Sequence, residues 1–302
     1  MPHKPVLLDE VLALLAPRPG EVVLDGTLGS GGHAREILNL IGESGRLIGL
    51  DRDPRSLERC QKIFGEDRRV SLHFENFVCA GKVLDDLNVP CVDAVILDVG
   101  FSSDQVEEAG RGFSFDREGP LDMRMDPRET QTAGDLINDL SQEELERIFL
   151  EYGGERFSRR FARAICEARK REAIRTTLQL AGILNAALPG APRYATAERP
   201  GWARRHPATR VFQALRIAVN REIENLEQGL KAIFPRLRVG GRFGVISFHS
   251  LEDRIVKRIF RQWRDEAVVR WVTRKPVAPG RPEQIENPRS RSAKLRVVEK
   301  IV

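Results

Sequence analysis

A glycine-rich stretch comes directly after the first apolar run of this chain. Residues 21–25 (EVVLD) are mostly apolar and end in an acid, and residues 26–33 (GTLGSGGH) follow them. Glycines let the backbone approach a ligand closely, and a helix that starts after such a loop offers free N–H groups. The run GSGGHA (29–34) matches the fingerprint of dinucleotide-binding folds, and Asp51 lies at the distance expected of an acid that binds ribose hydroxyls. This stretch predicts a parallel α/β sheet with a nucleotide-like ligand at its edge. A glycine turn without a ligand is the alternative.

Strand and helix patterns alternate through the first hundred residues, as is typical of a parallel α/β sheet. Three further apolar runs predict buried strands at residues 46–51, 70–74 and 93–98. After the fourth strand the alternation gives way to a long loop rich in glycine, serine and proline, and then to helical patterns. A strand pattern returns at residues 242–248, and Ser250 is expected to cap the helix that follows.

The interruption predicts one nucleotide-binding domain with an insertion. We expect residues 1–103 and 207–302 to form that domain, and residues 104–206 to form an inserted helical domain. A long helix is expected to start at Pro207 and end at Pro235, because its apolar residues recur at helical spacing. The predicted fold class is therefore α/β, a doubly wound sheet of the Rossmann type with an all-helical insertion.

Composition sets bounds on the class of protein. The four cysteines form no Cys-x-x-Cys pair, and the five histidines form no His-Glu-x-x-His motif. This argues against a disulfide framework and against a metal site, and it favours a reducing cytoplasm. No apolar run approaches the roughly 18 residues that span a bilayer, and the charged N-terminus does not resemble a signal peptide. We therefore expect a cytoplasmic protein without a metal ion and without a membrane partner.

The net charge of +5 conceals two strongly basic segments. Residues 156–216 contain 14 basic and three acidic residues, and residues 253–296 contain 13 basic and five acidic residues. Most of the basic residues are arginines, whose planar fork suits phosphate, so the segments favour a nucleic acid as partner. The candidate phosphate-binding elements are helices predicted at residues 157–174 and 251–266 and the segment 287–296. Solvated helix faces are the alternative, and thermal adaptation also enriches arginine in some families.

Three acids distinguish between the two ligands that such a glycine loop can hold. Asp25 precedes the loop, Asp51 ends the second strand and Asp98 ends the fourth. Acids there suit S-adenosylmethionine (AdoMet), which carries a positive amino group and a sulfonium, and they would repel the diphosphate of NAD. Because ligands bind at the carboxyl ends of strands, Asp98 is also a candidate catalytic residue, with a loop cap as its alternative. His249, just after the fifth strand, is the second candidate; substrate contact and a hydrogen bond to its own loop remain equal alternatives.

Seven blocks of sequence follow one another over nearly the whole chain. They are DGTLGSGGH (25–33), GLDRDP (49–54), LDVGFSS (97–103), RGFSF with GPLDMRMD (111–126), HPATRVFQALRIAVN (206–220), SFHSLEDR (247–254) and NPRSRSAKLR (287–296). In this order they resemble the bacterial 16S ribosomal RNA cytosine-N4 methyltransferases, called RsmH or MraW. One departure is Phe101, where members of that family often have a smaller aliphatic residue.

The resemblance implies a class I AdoMet-dependent methyltransferase fold with an inserted helical substrate domain. It also implies the residues that bind AdoMet, namely Gly31, Gly32, His33, Asp51, Phe77, Asp98 and Gln105. In that role Asp51 would accept the ribose hydroxyls and Phe77 would form an apolar wall for the adenine, although Phe77 on its own reads as ordinary core. The implied reaction places a methyl group on the exocyclic N4 of one cytidine in the decoding region of 16S rRNA, within the small ribosomal subunit.

For that reaction Asp98 is the candidate acceptor for the protons of the amine, and no covalent nucleophile is required. The target base has to lie outside any stack, and Phe113 and Phe115 either stack on it or anchor their own loop. On the residues alone, two other functions remain open: a nicotinamide-dependent dehydrogenase and a non-catalytic RNA-binding or assembly protein. The sequence leaves open the oligomeric state, a homodimer included, and the choice between free rRNA and an assembled subunit as substrate.

Overall fold

A computed structural model of the chain describes residues 5–100, 105, 108–188, 206 and 208–302. The chain divides into two compact units. The first comprises Met1–Gly100 and Ile223–Val302, and the second comprises Phe101–Glu222. Among the described residues, no helix is long and apolar enough to cross a membrane.

The first unit contains one seven-stranded sheet. Its strands are β1 (Val22–Asp25), β2 (Arg46–Asp51), β3 (Val70–Phe74), β4 (Val92–Asp98), β5 (Leu237–Ser247), β6 (Val269–Trp271) and β7 (Lys294–Lys300). They lie in the order β3-β2-β1-β4-β5-β7-β6, and only β7 runs antiparallel to its neighbours. The strand order reverses between β1 and β4, and ligands of open sheets bind in the crevice at such a switch point. The predicted α/β fold class is confirmed.

Helices cover both faces of this sheet. They are α1 (Leu8–Leu15), α2 (Gly32–Ile41), α3 (Pro54–Phe64), α4 (Ala80–Asp86), α10 (Glu222–Ile233), α11 (Ser250–Asp265) and α12 (Arg281–Glu286). Successive strand residues alternate between two buried clusters, as Val23 and Leu24 of β1 do. One cluster contains side chains of α1, α2 and α3, and the other contains side chains of α4, α10 and α11. A doubly wound sheet therefore has its core on both sides, which leaves the ends of its strands for a site.

The second unit is helical in the part that the structure describes. Its helices are α5 (Ala133–Asp139), α6 (Gln142–Glu151), α7 (Ser158–Arg169), α8 (Thr177–Ala186) and α9 (Ala208–Val219). Capping boxes start three of them, at Thr132, Ser141 and Thr176. These helices share a separate buried cluster, so this unit has a core of its own.

The predicted long helix after residue 207 is wrong, because it is two helices. α9 ends at Val219 and α10 begins at Glu222, with Arg221 between them at a φ of 46°. The Asn220 side chain binds the backbone of Met123, of Met125 and of Arg216, so it ends the first helix with hydrogen bonds from a distant loop. No glycine or proline marks this break in the sequence.

The boundary between the two units also differs from the predicted domain boundary. We predicted that the insertion ends at residue 206, whereas the second unit continues to Glu222. The apolar stripe that reads as one helix face is divided, because Val211 and Leu215 pack in the core of the second unit, whereas Leu226 and Leu230 pack in that of the first. Residues 190–205 lie outside the described residues, as do Pro207, Phe101 and the predicted start of the insertion at Asp104.

Candidate active site

The glycine loop after β1 takes a backbone form that only glycine adopts easily. Gly29 has a φ of 55° and Gly31 a φ of 78°. A Cβ on Gly31 would lie 2.7 Å from the Cε2 atom of Phe64, and a Cβ on Gly32 would lie 2.4 Å from the Cγ atom of Pro5. Helix α2 starts at Gly32, and its N-cap, Gly31, has no side chain that could accept a hydrogen bond from the first N–H groups of the helix. The loop is thus closely packed, and it leads into a helix N-terminus, which suits a polar ligand.

Asp51, at the end of β2, holds the loop from the other side. Its Oδ2 accepts a hydrogen bond from the Gly29 N–H at 2.7 Å, and its Oδ1 accepts one from the Asp53 N–H at 2.8 Å. Burial raises the pKa of its carboxyl to about 6. Each oxygen keeps a second lone pair, so the carboxylate can still accept ribose hydroxyls as predicted.

Asp25 lies under the loop at the end of β1. Its side chain is buried, and its Oδ1 accepts a hydrogen bond from the Thr27 N–H at 3.1 Å. Burial raises the pKa of this carboxyl to about 7. The Oγ1 atom of Thr27 in turn accepts a hydrogen bond from the Asp98 N–H at 2.6 Å. Thr27 therefore joins the ends of β1 and β4, a role that the sequence did not reveal.

Asp98, at the end of β4, has an oxygen without a hydrogen-bond partner in the part of the chain that the structure describes. Its side chain is 26% exposed, but its Oδ1 is buried and binds no described residue. Burial, together with the nearby charges of Asp25 and Glu252, raises the pKa of the carboxyl to about 8. A buried carboxyl oxygen without a donor is costly, and a positively charged ligand with N–H groups would satisfy it.

His33 faces the same point from the first turn of α2. Its Nε2 donates a hydrogen bond to the Val6 carbonyl at 3.0 Å, so its Nδ1 is an acceptor, and Nδ1 lies 3.7 Å from the Asp98 Oδ2. Burial lowers the pKa of this imidazole to about 4, and it is therefore neutral at physiological pH. Two acceptors side by side suit a donor that carries several protons, such as an ammonium group.

His249 hydrogen-bonds its own loop. It is the N-cap of α11, which corrects the prediction that Ser250 caps this helix. Its Nδ1 accepts from the Glu252 N–H at 3.4 Å, and a Glu252 oxygen accepts from the N–H groups of Phe248 and His249. The sequence rule for caps favours serine over histidine, and the reciprocal bonds of Glu252 override it here. A contact of His249 with the substrate stays a prediction.

The other two predicted cofactor residues are both buried. Phe77 is 8% exposed and belongs to the core of the first unit, where Gly229 leaves room for its ring. Gln105 is 5% exposed and belongs to the second unit. Their roles at the adenine and at the methionine end stay predictions.

The residues at this edge of the sheet fit AdoMet. The glycine cradle has no space for a Cβ, the acceptors of Asp98 and His33 suit the amino group, and Asp51 suits the ribose. When bound, AdoMet supplies a methyl group on a positively charged sulfur, and acids nearby stabilise that charge.

The strand order, the glycine loop after β1 and the acids at the ends of β1, β2 and β4 define a class I methyltransferase. The chain belongs to the MraW methylase family, whose pattern matches residues 1–301. This confirms the predicted family, the prediction of an enzyme and that of AdoMet as its cofactor. It overturns the dehydrogenase and the non-catalytic alternatives.

Curated relatives match the whole chain. A protein of Geobacter sulfurreducens named "Ribosomal RNA small subunit methyltransferase H" is 49% identical and is matched over 99% of both chains. A protein of the same name from Syntrophotalea carbinolica is 46% identical over 99% of this chain and 98% of its own. Among solved structures, an rRNA methylase from Streptococcus thermophilus aligns over 100% of this chain and 99% of its own, with 10% identity and a TM-score of 0.46.

Proposed function

We propose that this chain methylates the exocyclic N4 of a cytidine in the decoding region of 16S rRNA, with AdoMet as the methyl donor. The observation that carries the proposal is Asp98, whose buried Oδ1 has no hydrogen-bond partner among the described residues and lies at the switch point of the sheet. The substrate is supported by the name of the relatives, which are similar to this chain over nearly their whole length. Cytidine and its N4 follow from the resemblance of the motif blocks. We place the activity in the cytoplasm, on rRNA of the small subunit, and a homodimer is left open.

The reaction depends mainly on how the two reactants are positioned. The N4 lone pair of cytosine is delocalised into the ring, so the amine is a weak nucleophile, and holding the reactants in line supplies a large part of the rate enhancement. In its ionised form, which the positive charge of AdoMet favours, Asp98 accepts a hydrogen bond from the amine and takes up its proton as the lone pair is used. His33 is neutral and fixed by the Val6 carbonyl, so it keeps a lone pair for the amino group of AdoMet. No nucleophilic side chain takes part.

The proposal is tested with the purified chain, AdoMet with a labelled methyl group, and ribosomal RNA from a strain that lacks the enzyme. One reaction contains free 16S rRNA and a second contains assembled small subunits. Mass spectrometry of the digested nucleosides is expected to find label on N4-methylcytidine in at least one reaction. Label on a different nucleoside, or on none, would contradict the proposal.

Two exposed basic faces support the binding of RNA. On α7 the side chains of Arg159, Arg160 and Arg163 are exposed and have no ion pair with a described residue, whereas Arg169 is half-buried and donates to two backbone carbonyls. On α11 the side chains of Arg254, Lys257 and Arg261 are exposed in the same way; they are three, four and seven residues apart and so share one side of the helix.

Part of the C-terminal segment 287–296 has a different role from the one predicted. Arg296 is buried, and its Nε donates to the Asp253 Oδ1 at 2.7 Å, while the Lys294 ammonium lies 3.0 Å from the other oxygen. These two side chains join β7 to α11, so they are not free for phosphate. Arg289 and Arg291 remain exposed.

Replacing Arg159, Arg160 and Arg163 together by glutamate is expected to weaken rRNA binding by about ten-fold or more at physiological salt, because three phosphate contacts are lost. The slope of log Kd against log salt should fall by about 2 to 3 for the same reason. Filter binding across a KCl series measures both quantities.

The matched control reverses three other exposed basic residues, Lys62, Arg68 and Lys82 of the first unit, which lie outside the basic segments. It changes the net charge by the same amount. If the control and the α7 variant lose the same affinity, the effect belongs to net charge and the α7 face does not bind RNA.

A further inference from the structure

The N-terminal segment Pro5–Leu7 lies against the cofactor loop. Pro5 packs on Gly32, and the Val6 carbonyl accepts the hydrogen bond from the His33 Nε2. The Leu7 N–H donates to the Glu283 Oε1 at 2.9 Å. The Glu283 carboxylate thus binds the backbone of Leu7, and Leu7 follows Val6, whose carbonyl binds His33.

Leu7 has a backbone conformation that its surroundings must stabilise. It is fully buried and is the N-cap of α1 in a left-handed conformation, with a φ of 55° and a ψ of 34°. A branched side chain at positive φ is strained, and it persists only where the surroundings fix it. Within the described residues, the acceptor of the Leu7 N–H is the Glu283 carboxylate, in the first turn of α12.

The turn at Leu7 determines the direction of the Val6 carbonyl. That carbonyl receives the Nε2 proton of His33, so the imidazole is held as the Nε2–H tautomer. Its Nδ1 lone pair then faces the Asp98 Oδ2 at 3.7 Å. With the opposite tautomer, an N–H would point at Asp98 and the second acceptor would be lost.

We infer that Glu283 is a positioning residue of the cofactor site, which acts through Leu7 and Val6 to fix the tautomer and orientation of His33 toward Asp98. The inference rests on the proposed AdoMet site at these residues. It joins the segment between β6 and β7 to the first residues of the chain, which no motif in the sequence connects.

The test compares Glu283→Ala with Glu283→Gln in the full-length chain. The glutamine keeps an oxygen that can accept from the Leu7 N–H, and the alanine does not. Imidazole ¹⁵N spectra of the chain without AdoMet should show His33 as the Nε2–H tautomer in the wild type and in Glu283→Gln, and a mixture in Glu283→Ala. Calorimetry should show that Glu283→Ala binds AdoMet about five- to ten-fold more weakly, as the loss of one hydrogen bond predicts.

His33→Ala completes a double-mutant cycle, which distinguishes a positioning role of Glu283 from a merely structural one. In the His33→Ala background, Glu283→Ala should have no further effect on AdoMet affinity, because both act through the imidazole. Glu286→Ala, an exposed acid of the same helix, is the control and should leave the spectrum unchanged.

An unchanged His33 spectrum in Glu283→Ala, with only a lower melting temperature, would overturn the inference. If the spectrum changed and the AdoMet affinity did not, Glu283 would still orient His33, but His33 would not belong to the cofactor site, and the inference would be overturned. The failure of the inference and the failure of the proposed site are therefore distinguishable.

Discussion

Replacing Asp98 by asparagine is expected to lower the rate of methyl transfer by about 10²- to 10⁴-fold, the range typical of a lost general base. The amide has the shape of the carboxyl, but it cannot take up the proton of the amine or carry the negative charge that faces a cation. Single-turnover transfer to rRNA measures the rate, and circular dichroism checks that the fold is retained. Asp9→Asn, at an exposed position of α1, is the control and should react at the wild-type rate.

Asp98→Asn is also expected to change how the free energy of unfolding depends on pH. The Asp98 carboxyl has a folded pKa of about 8, above its ordinary value of 3.8, because burial favours the neutral form. Between these two pH values the unfolded chain releases the proton and the folded chain keeps it, so the ligand-free wild type loses stability as pH rises. Asparagine does not ionise.

The difference in free energy of unfolding between Asp98→Asn and wild type should therefore grow in favour of the variant from pH 4 to about 8. Urea denaturation at several pH values measures it. A rate within ten-fold of wild type would contradict the catalytic role, and a difference that does not change with pH would contradict the raised pKa of Asp98.

Replacing Gly31 by alanine is expected to reduce AdoMet affinity by at least about ten-fold and to destabilise the chain by about 1–2 kcal/mol or more. A left-handed backbone alone costs a non-glycine residue that amount. The added Cβ would also lie 2.7 Å from the Phe64 ring, so the cradle has to shift. Calorimetry with AdoMet and urea denaturation measure the two effects.

Gly81→Ala is the matched control. This glycine lies within α4, its φ is not positive, and a Cβ there would meet no other described residue within 4 Å. The substitution should leave AdoMet affinity unchanged and should stabilise the helix by about 0.5–1 kcal/mol, because alanine loses less entropy on folding. If Gly31→Ala bound AdoMet as tightly as Gly81→Ala does, the loop would not be the cofactor cradle.

Local patterns in the sequence determined the sheet and the position of the site. The apolar runs that end in Asp25, Asp51 and Asp98 are the strands β1, β2 and β4, and their acids lie at one edge because parallel strands share a carboxyl end. The capping boxes at Ser141 and Thr176, which start helices, can be recognised in the sequence, since each box spans only four consecutive residues. The family, the enzyme class and the cofactor follow from the same motifs.

Only the tertiary structure decided the features that depend on residues far apart in the chain. Asn220 ends α9 through the backbone of a loop near residue 124, and this places the division of the units at Glu222 and not at residue 206. Asp253 binds the buried side chain of Arg296. Glu283 accepts a hydrogen bond from the Leu7 N–H, and the carbonyl of the preceding residue, Val6, accepts one from His33. A sequence pattern records the propensity of neighbouring residues. The partner of a buried polar group is fixed by folding, because a buried donor or acceptor must be satisfied by whichever group the packing brings to it.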